Sequence, residues 1–264
     1  MSLGNILDFF GQRLADFLTR PIPGFRPAST TEFDKLQRAL QTGDVLLVEG
    51  DTRVATAIKY LTQSTWSHSA LYVGPIEGRA EPGGEPHVLV EALVEEGIIS
   101  APLSKYRDFH TRICRPLALS EVERRKVAAF TVARLGHQYD TKNIVDLARY
   151  LLPTPPVPSR FRRRMIALGS GEPTRAICST LIAQAFQSVR YPILPRVDYV
   201  NDPDSPVKDT EQQKEILAIR HHSLFAPRDF DISPYFAIVK PTIEAGFDYT
   251  TIPWAGPPAD EAAA

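Results

Sequence analysis

The chain has 264 residues, 43% hydrophobic and 23% charged, with a formal net charge of −1. That length buries a sizeable core, and a charge so near zero excludes steering toward nucleic acid by a global field. Two cysteines exclude a disulfide framework, no Cys/His spacing fits a structural zinc, and no run nears the roughly 20 apolar residues that cross a bilayer. No metal and no cofactor is expected.

Residues 3–19 predict a short amphipathic helix. Leu3, Leu7, Phe10, Leu14 and Phe17 fall on one stripe, while Asp8, Gln12, Arg13 and Asp16 lie largely off it. Such a helix packs on its own domain or in a dimer contact, or it lies on a membrane surface through residues 3–18. Its polar face is poor in Lys and Arg, which weakens the membrane reading. The N-terminus has no basic region, unbroken apolar stretch and small-residue cleavage site in sequence. A cytoplasmic protein is expected, with peripheral membrane contact as the alternative. Pro and Gly up to Pro27 end this element.

A helix is predicted over about 31–40, then a buried strand at Val45–Val48 and a helix over 52–62. Trp66 to Gly74 reads as a strand, 75–87 as a Gly/Pro/Glu-rich hairpin loop, and Val88–Leu93 and Phe109–Arg115 as strands. Ser120 and Glu123 form a capping box for a helix to about Leu135, stopped by Gly136. A helix over 141–152 ends at Pro153, and a basic stretch with Arg160, Arg162, Arg163, Arg164 and Arg175 follows. That stretch is a solvated loop or a site for an anionic substrate. Leu181, Ile182, Ala185, Phe186 and Val189 recur at helical spacing behind Cys178. A polar loop over 192–215 and strands near 216–219 and 235–239 close the order, and 253–264 reads as a disordered tail. The sum is an α+β chain with an N-terminal helix and linker over 1–27 and one domain over 28–252.

Three residue types carry chemistry. Cys178 lies in the first turn of its helix, where unpaired N–H groups and the helix dipole favour a thiolate. The alternative is a small buried apolar side chain. His68 opens an otherwise apolar strand and shares a face with Ala70 and Tyr72, so it is hydrogen-bonded or functional. Glu91 lies inside the apolar run Val88–Leu93, where a carboxylate needs a partner, and the strand bearing His68 offers one. The alternative is an edge strand with Glu91 in solvent. Tyr139, after the long helix, and Ser179 are candidate substrate contacts. Cys114 reads as structural, and His221 and His222 as surface residues.

Together these motifs resemble the circularly permuted branch of the NlpC/P60 papain-like superfamily, the YiiX/YebB-like group. The matching segments are Gly43-Asp44-Val45-Leu46, Ser67-His68 through Gly74, Val90-Glu91-Ala92 with Gly97-Ile98, Tyr139-Asp140 and Cys178-Ser179-Thr180-Leu181. The order is His, Glu, Cys, where ordinary papain-like enzymes place Cys first. The resemblance implies an antiparallel sheet or small barrel packed against helices, with the nucleophile at a helix N-terminus. It implies Cys178 as nucleophile, His68 as general base and Glu91 as orienting residue. The expected activity is hydrolysis of an amide, in a peptide or an acyl-amide. The alternatives are a lipid-directed acyltransferase or thioesterase, and a binding module without catalysis.

Overall fold

The computed structural model describes residues 20–22, 24, 29, 31–93, 96–138, 177–200, 214–218 and 220–251. The expected helices over 3–19 and 141–152, the basic stretch, Tyr139 and the 253–264 tail lie outside them.

Helix α1 (Phe33–Ala39) leads into β1 (Val45–Val48), and α2 (Arg53–Thr62) follows. Thr52 caps α2 by accepting the Ala55 N–H, and Gln63 ends it in a left-handed conformation. Strands β2 (His68–Tyr72), β3 (His87–Leu93) and β4 (Gly97–Pro102) come next, then a one-turn 3-10 helix (Leu103–Tyr106) and β5 (Thr111–Pro116). The Ser120–Glu123 capping box opens α3 (Glu121–Val132) as expected. Helix α4 (Ile177–Ser188) carries Cys178. Strands β6 (Arg196–Val200) and β7 (Lys214–Ala218), a 3-10 turn (His222–Leu224), α5 (Pro227–Asp231), β8 (Phe236–Val239), α6 (Pro241–Glu244) and a last 3-10 turn (Tyr249–Thr251) complete the described elements.

Six strands form one antiparallel sheet in the order β4-β3-β2-β1-β5-β8, and β6 and β7 pair separately. This is an α+β arrangement with an open sheet, and of the two architectures expected it is not the closed barrel. The Val-Leu-Leu-Val run of β1 is buried throughout because both faces of the sheet are covered. Val45, Leu47 and Leu71 pack on one face against Ile182, Ala185 and Phe186 of α4 and Val127 of α3. Leu46, Val48 and Ala70 pack on the other against Leu36 and Leu40. Each such side chain contributes about 1.5–3 kcal/mol by leaving water.

Two strands were not expected. β4 begins at a glycine and ends at a proline, which mask its strand signal. β6 alternates Arg196-Val197-Asp198-Tyr199-Val200 inside a polar stretch that reads as loop. β4 matters for the site, because it makes β3 an interior strand rather than an edge.

Gly97 explains how β4 meets α3. The N–H of Ile98 donates to the His137 carbonyl at 2.9 Å, and the Gly136 N–H donates to the Ile98 carbonyl at 2.8 Å. Gly97 holds φ +76°, and a Cβ there would stand 2.4 Å from the His137 oxygen. Only glycine fits both demands.

Candidate active site

Alternation along β2 puts His68 and Ala70 on the face opposite Ser69 and Leu71. β2 pairs with β3 at Leu71–Val90 and Tyr72–Leu89. Continuing that register sets Glu91 beside Ala70 and diagonal to His68, within reach of a long side chain. β4 flanks β3 on its other side, with Ile99 opposite Glu91. Glu91 is thereby fully buried, at 0% exposure. The solvated edge-strand alternative does not hold.

A buried carboxylate persists only if its lone pairs are used. His68 Nε2 donates to Glu91 Oε2 at 2.6 Å. Lys105 Nζ donates to Oε1 at 2.6 Å. The Tyr106 hydroxyl donates to Oε2 in a short bond. Lys105 and Tyr106 come from the 3-10 turn after β4. Glu85 fixes that turn, since its carboxylate accepts the Ser104 N–H at 3.0 Å and the Ser104 hydroxyl.

Helix α4 brings the thiol. Leu181, Ile182, Ala185 and Phe186 are fully buried against the sheet, which sets the helix axis and puts Cys178 in the first turn. The Cys178 sulfur lies beside the His68 ring and Ser69, close enough for both to act on its charge, and 3.9 Å from the Ser179 hydroxyl. With Nε2 taken by Glu91, Nδ1 is the ring nitrogen left to serve the thiol. Ser179, 0% exposed, points its hydroxyl at Ser69 Oγ, 3.2 Å away, and so faces β2 rather than solvent.

The electrostatics follow. Burial pushes the Cys178 thiol up, but the His68 charge and the His68 and Ser69 hydrogen bonds outweigh it and hold the thiol down at about 7. Burial pushes His68 down, and the bonds and charges of Cys178 and Glu91 reverse this to about 10. Burial pushes Glu91 up, and His68 and Lys105 bring it down to about 2. Between about pH 7 and 10 the site holds a thiolate, an imidazolium and a carboxylate in a row. Burial and the neighbouring Glu91 raise Tyr106, so it remains a neutral donor.

Comparison with known proteins adds a structural likeness. No family model and no curated protein matches the chain. Among solved structures, the chain is similar to the crystal structure of metalloprotein YiiX from Escherichia coli O157:H7. The two share 16% identity over 76% of this chain and 97% of that one, with a TM-score of 0.44. Among the described residues here, no group of three or more His, Cys, Asp or Glu side chains is placed to hold a metal ion.

The structure therefore gathers Cys178, His68 and Glu91, three residues far apart in sequence. Tyr139 lies outside the described residues. Ser69, Lys105 and Tyr106 were not expected at the site. Ser69 had a signal: a hydroxyl on the apolar face of β2 needs a partner. Lys105 and Tyr106 had none, because they arrive through the unexpected β4. The other histidines serve elsewhere. His87 bonds Ser100 Oγ at 2.8 Å and Glu81 at 3.1 Å, and His110 bonds Glu49 at 3.1 Å and packs at a tilt against Trp66. His221 is exposed and stacks on His222 with centroids 4.1 Å apart. Cys114 is fully buried and its thiol is pushed up by that burial, so it is inert. Among the described residues no helix is long and apolar enough to cross a membrane.

Proposed function

We propose that this chain is a cysteine hydrolase that cleaves an amide, in a peptide or an acyl-amide, with the permuted arrangement of a papain-like fold. The observation that carries the reading is the contact of Cys178, at the head of a buried helix, with a His68 that is itself bonded to a buried Glu91. A nucleophile, a base and an orienting carboxylate in one line are what covalent acyl transfer needs. The chain order, with the His and Glu strands before the Cys helix, supports the permuted assignment.

The Cys178 thiolate attacks the amide carbonyl carbon and forms a C–S bond. The oxyanion is stabilised by first-turn N–H groups of α4, Cys178's included, which have no partner within the helix. The His68 imidazolium gives its Nδ1 proton to the amide nitrogen as the C–N bond breaks, and the amine leaves. Water then attacks the thioester while His68 takes its proton. The C–S bond breaks, the carboxylic acid departs and the thiolate is restored. Glu91 holds the ring orientation and stabilises the imidazolium throughout.

The test is turnover of a panel of peptide amides, N-acyl amides and thioesters by full-length protein, beside Cys178→Ala. Turnover that Cys178→Ala abolishes supports the reading. No turnover of any member, together with a Cys178 that reacts like an ordinary thiol, overturns it.

A further inference from the structure

Four charged groups line up at the site. The Cys178 thiolate, the His68 imidazolium, the Glu91 carboxylate and the Lys105 ammonium alternate in sign. The first three alone sum to −1 in a place where Cys178 is 4% and Glu91 0% exposed. An uncompensated buried charge of that kind is costly. Lys105 brings the sum to zero, and its own side chain is 35% exposed, so its charge keeps part of its hydration. Tyr106 takes the remaining place on Oε2, and its ring packs edge-on against Phe109 with centroids 5.7 Å apart.

We propose that Lys105 and Tyr106 are positioning residues: they clamp Glu91 as a fixed buried anion, so that a thiolate and a carboxylate coexist on either side of one imidazolium. The inference rests on the cysteine-hydrolase reading of the site. The groups that face Glu91 are His68 from β2, Lys105 and Tyr106 from the 3-10 turn, and Cys178 through His68 from α4. Its neighbour on β4 is apolar Ile99. Lys105 is no loose surface lysine. The Glu85 carboxylate pins the preceding residue, Ser104, by backbone and side chain, so the ammonium is delivered to Oε1 by a braced turn. Neither residue touches the thiol's reaction partner in the steps above. Lys105 acts through Glu91, and Tyr106 acts through Glu91 while its ring also lies beside that of His68, with centroids 6.1 Å apart.

The experiment is the pH dependence of Cys178 alkylation by iodoacetamide, read on the Cys178 peptide by mass spectrometry. The proteins are full-length wild type, Lys105→Met, Lys105→Arg and Tyr106→Phe. The wild-type midpoint is expected near 7. Lys105→Met raises it by about 1–2 pH units, because an opposite charge beside the cluster is lost. Lys105→Arg restores it, and Tyr106→Phe raises it by less. A role in packing alone predicts no such shift and no rescue by Arg. A low wild-type midpoint that neither Lys105→Met nor Tyr106→Phe moves overturns the clamp and leaves the hydrolase reading standing. A wild-type midpoint at the ordinary thiol value overturns both. Should Lys105→Met lose its circular dichroism, Tyr106→Phe decides, since it keeps the ring.

Discussion

His68 and Glu91 are diagonal, not opposite, on neighbouring strands, and Nε2 reaches Oε2 across 2.6 Å. Glu91 takes Nε2, so Nδ1 is the ring nitrogen left for Cys178. Glu91→Gln tests what the charge contributes beyond the hydrogen bond. The amide still accepts from Nε2 but no longer attracts an imidazolium, so His68 is expected to titrate about 1–3 units lower. NMR of the imidazole protons across a pH series checks this. An unchanged titration would mean that the thiolate alone holds the proton on His68.

Catalysis is expected to depend on pH as a bell. The rate rises as Cys178 ionises through about 7 and falls as His68 loses its proton through about 10. The measurement is kcat/KM against pH on whichever amide substrate turns over. His68→Ala is expected to cost about 10²–10⁴ in rate and to return the thiol toward its ordinary value.

Stability has the opposite signs to weigh. Glu91 is lowered from 4.5 to about 2, so its contribution is present above 4.5 and lost as pH falls toward 2. His68 is raised from 6.5 to about 10, so its contribution is full below 6.5 and lost as pH rises toward 10. Cys178 is lowered from 9.0 to about 7, so its contribution is full above 9.0 and lost as pH falls through 7. Urea unfolding at stepped pH is expected to show Glu91→Gln converging on wild type below pH 4. A difference that persists at pH 2 contradicts the assignment.

Most of the site was legible because its members break local patterns. Cys178 opens a helix, His68 opens an apolar strand and Glu91 interrupts one. Each anomaly demands a partner, and three demands met one another. What stayed hidden came from long-range pairing. Nothing local in Gly97–Pro102 declares that it pairs with β3, so neither the burial of Glu91 on both sides nor the delivery of Lys105 and Tyr106 could be read. Ser179 stands beside the nucleophile in sequence, and its buried hydroxyl lies 3.2 Å from Ser69 Oγ and 3.9 Å from the Cys178 sulfur rather than facing solvent.

The Gly43-Asp44 pair in the resemblance has a structural explanation. Asp44 is fully buried and accepts from Arg115 Nε at 3.0 Å and Nη2 at 2.8 Å, and from the Gln41 N–H at 2.8 Å. It ties the head of β1 to β5. Asp44→Ala leaves a mostly buried guanidinium without its carboxylate, with the Ala39 carbonyl still accepting from Nη2, and is expected to destabilise by about 3–5 kcal/mol in chemical denaturation. The midpoint of Cys178 alkylation should not move in the folded variant. A moved midpoint would make Asp44 part of the site.

Gly97→Ala probes the seam that holds β4, and with it the clamp on Glu91. A left-handed backbone alone costs a residue with a Cβ about 1–2 kcal/mol. The His137 oxygen, 2.4 Å from where that Cβ would stand, forces the two segments apart as well. β4 would then shift against β3, and the 3-10 turn that delivers Lys105 and Tyr106 would shift with it. The expected result is a thermal midpoint lower by several degrees and a slower Cys178 alkylation at pH 7 in the folded fraction. A variant that loses stability but alkylates at the wild-type rate would show that the turn is braced by Glu85 and Ser104 alone, independently of the α3 seam.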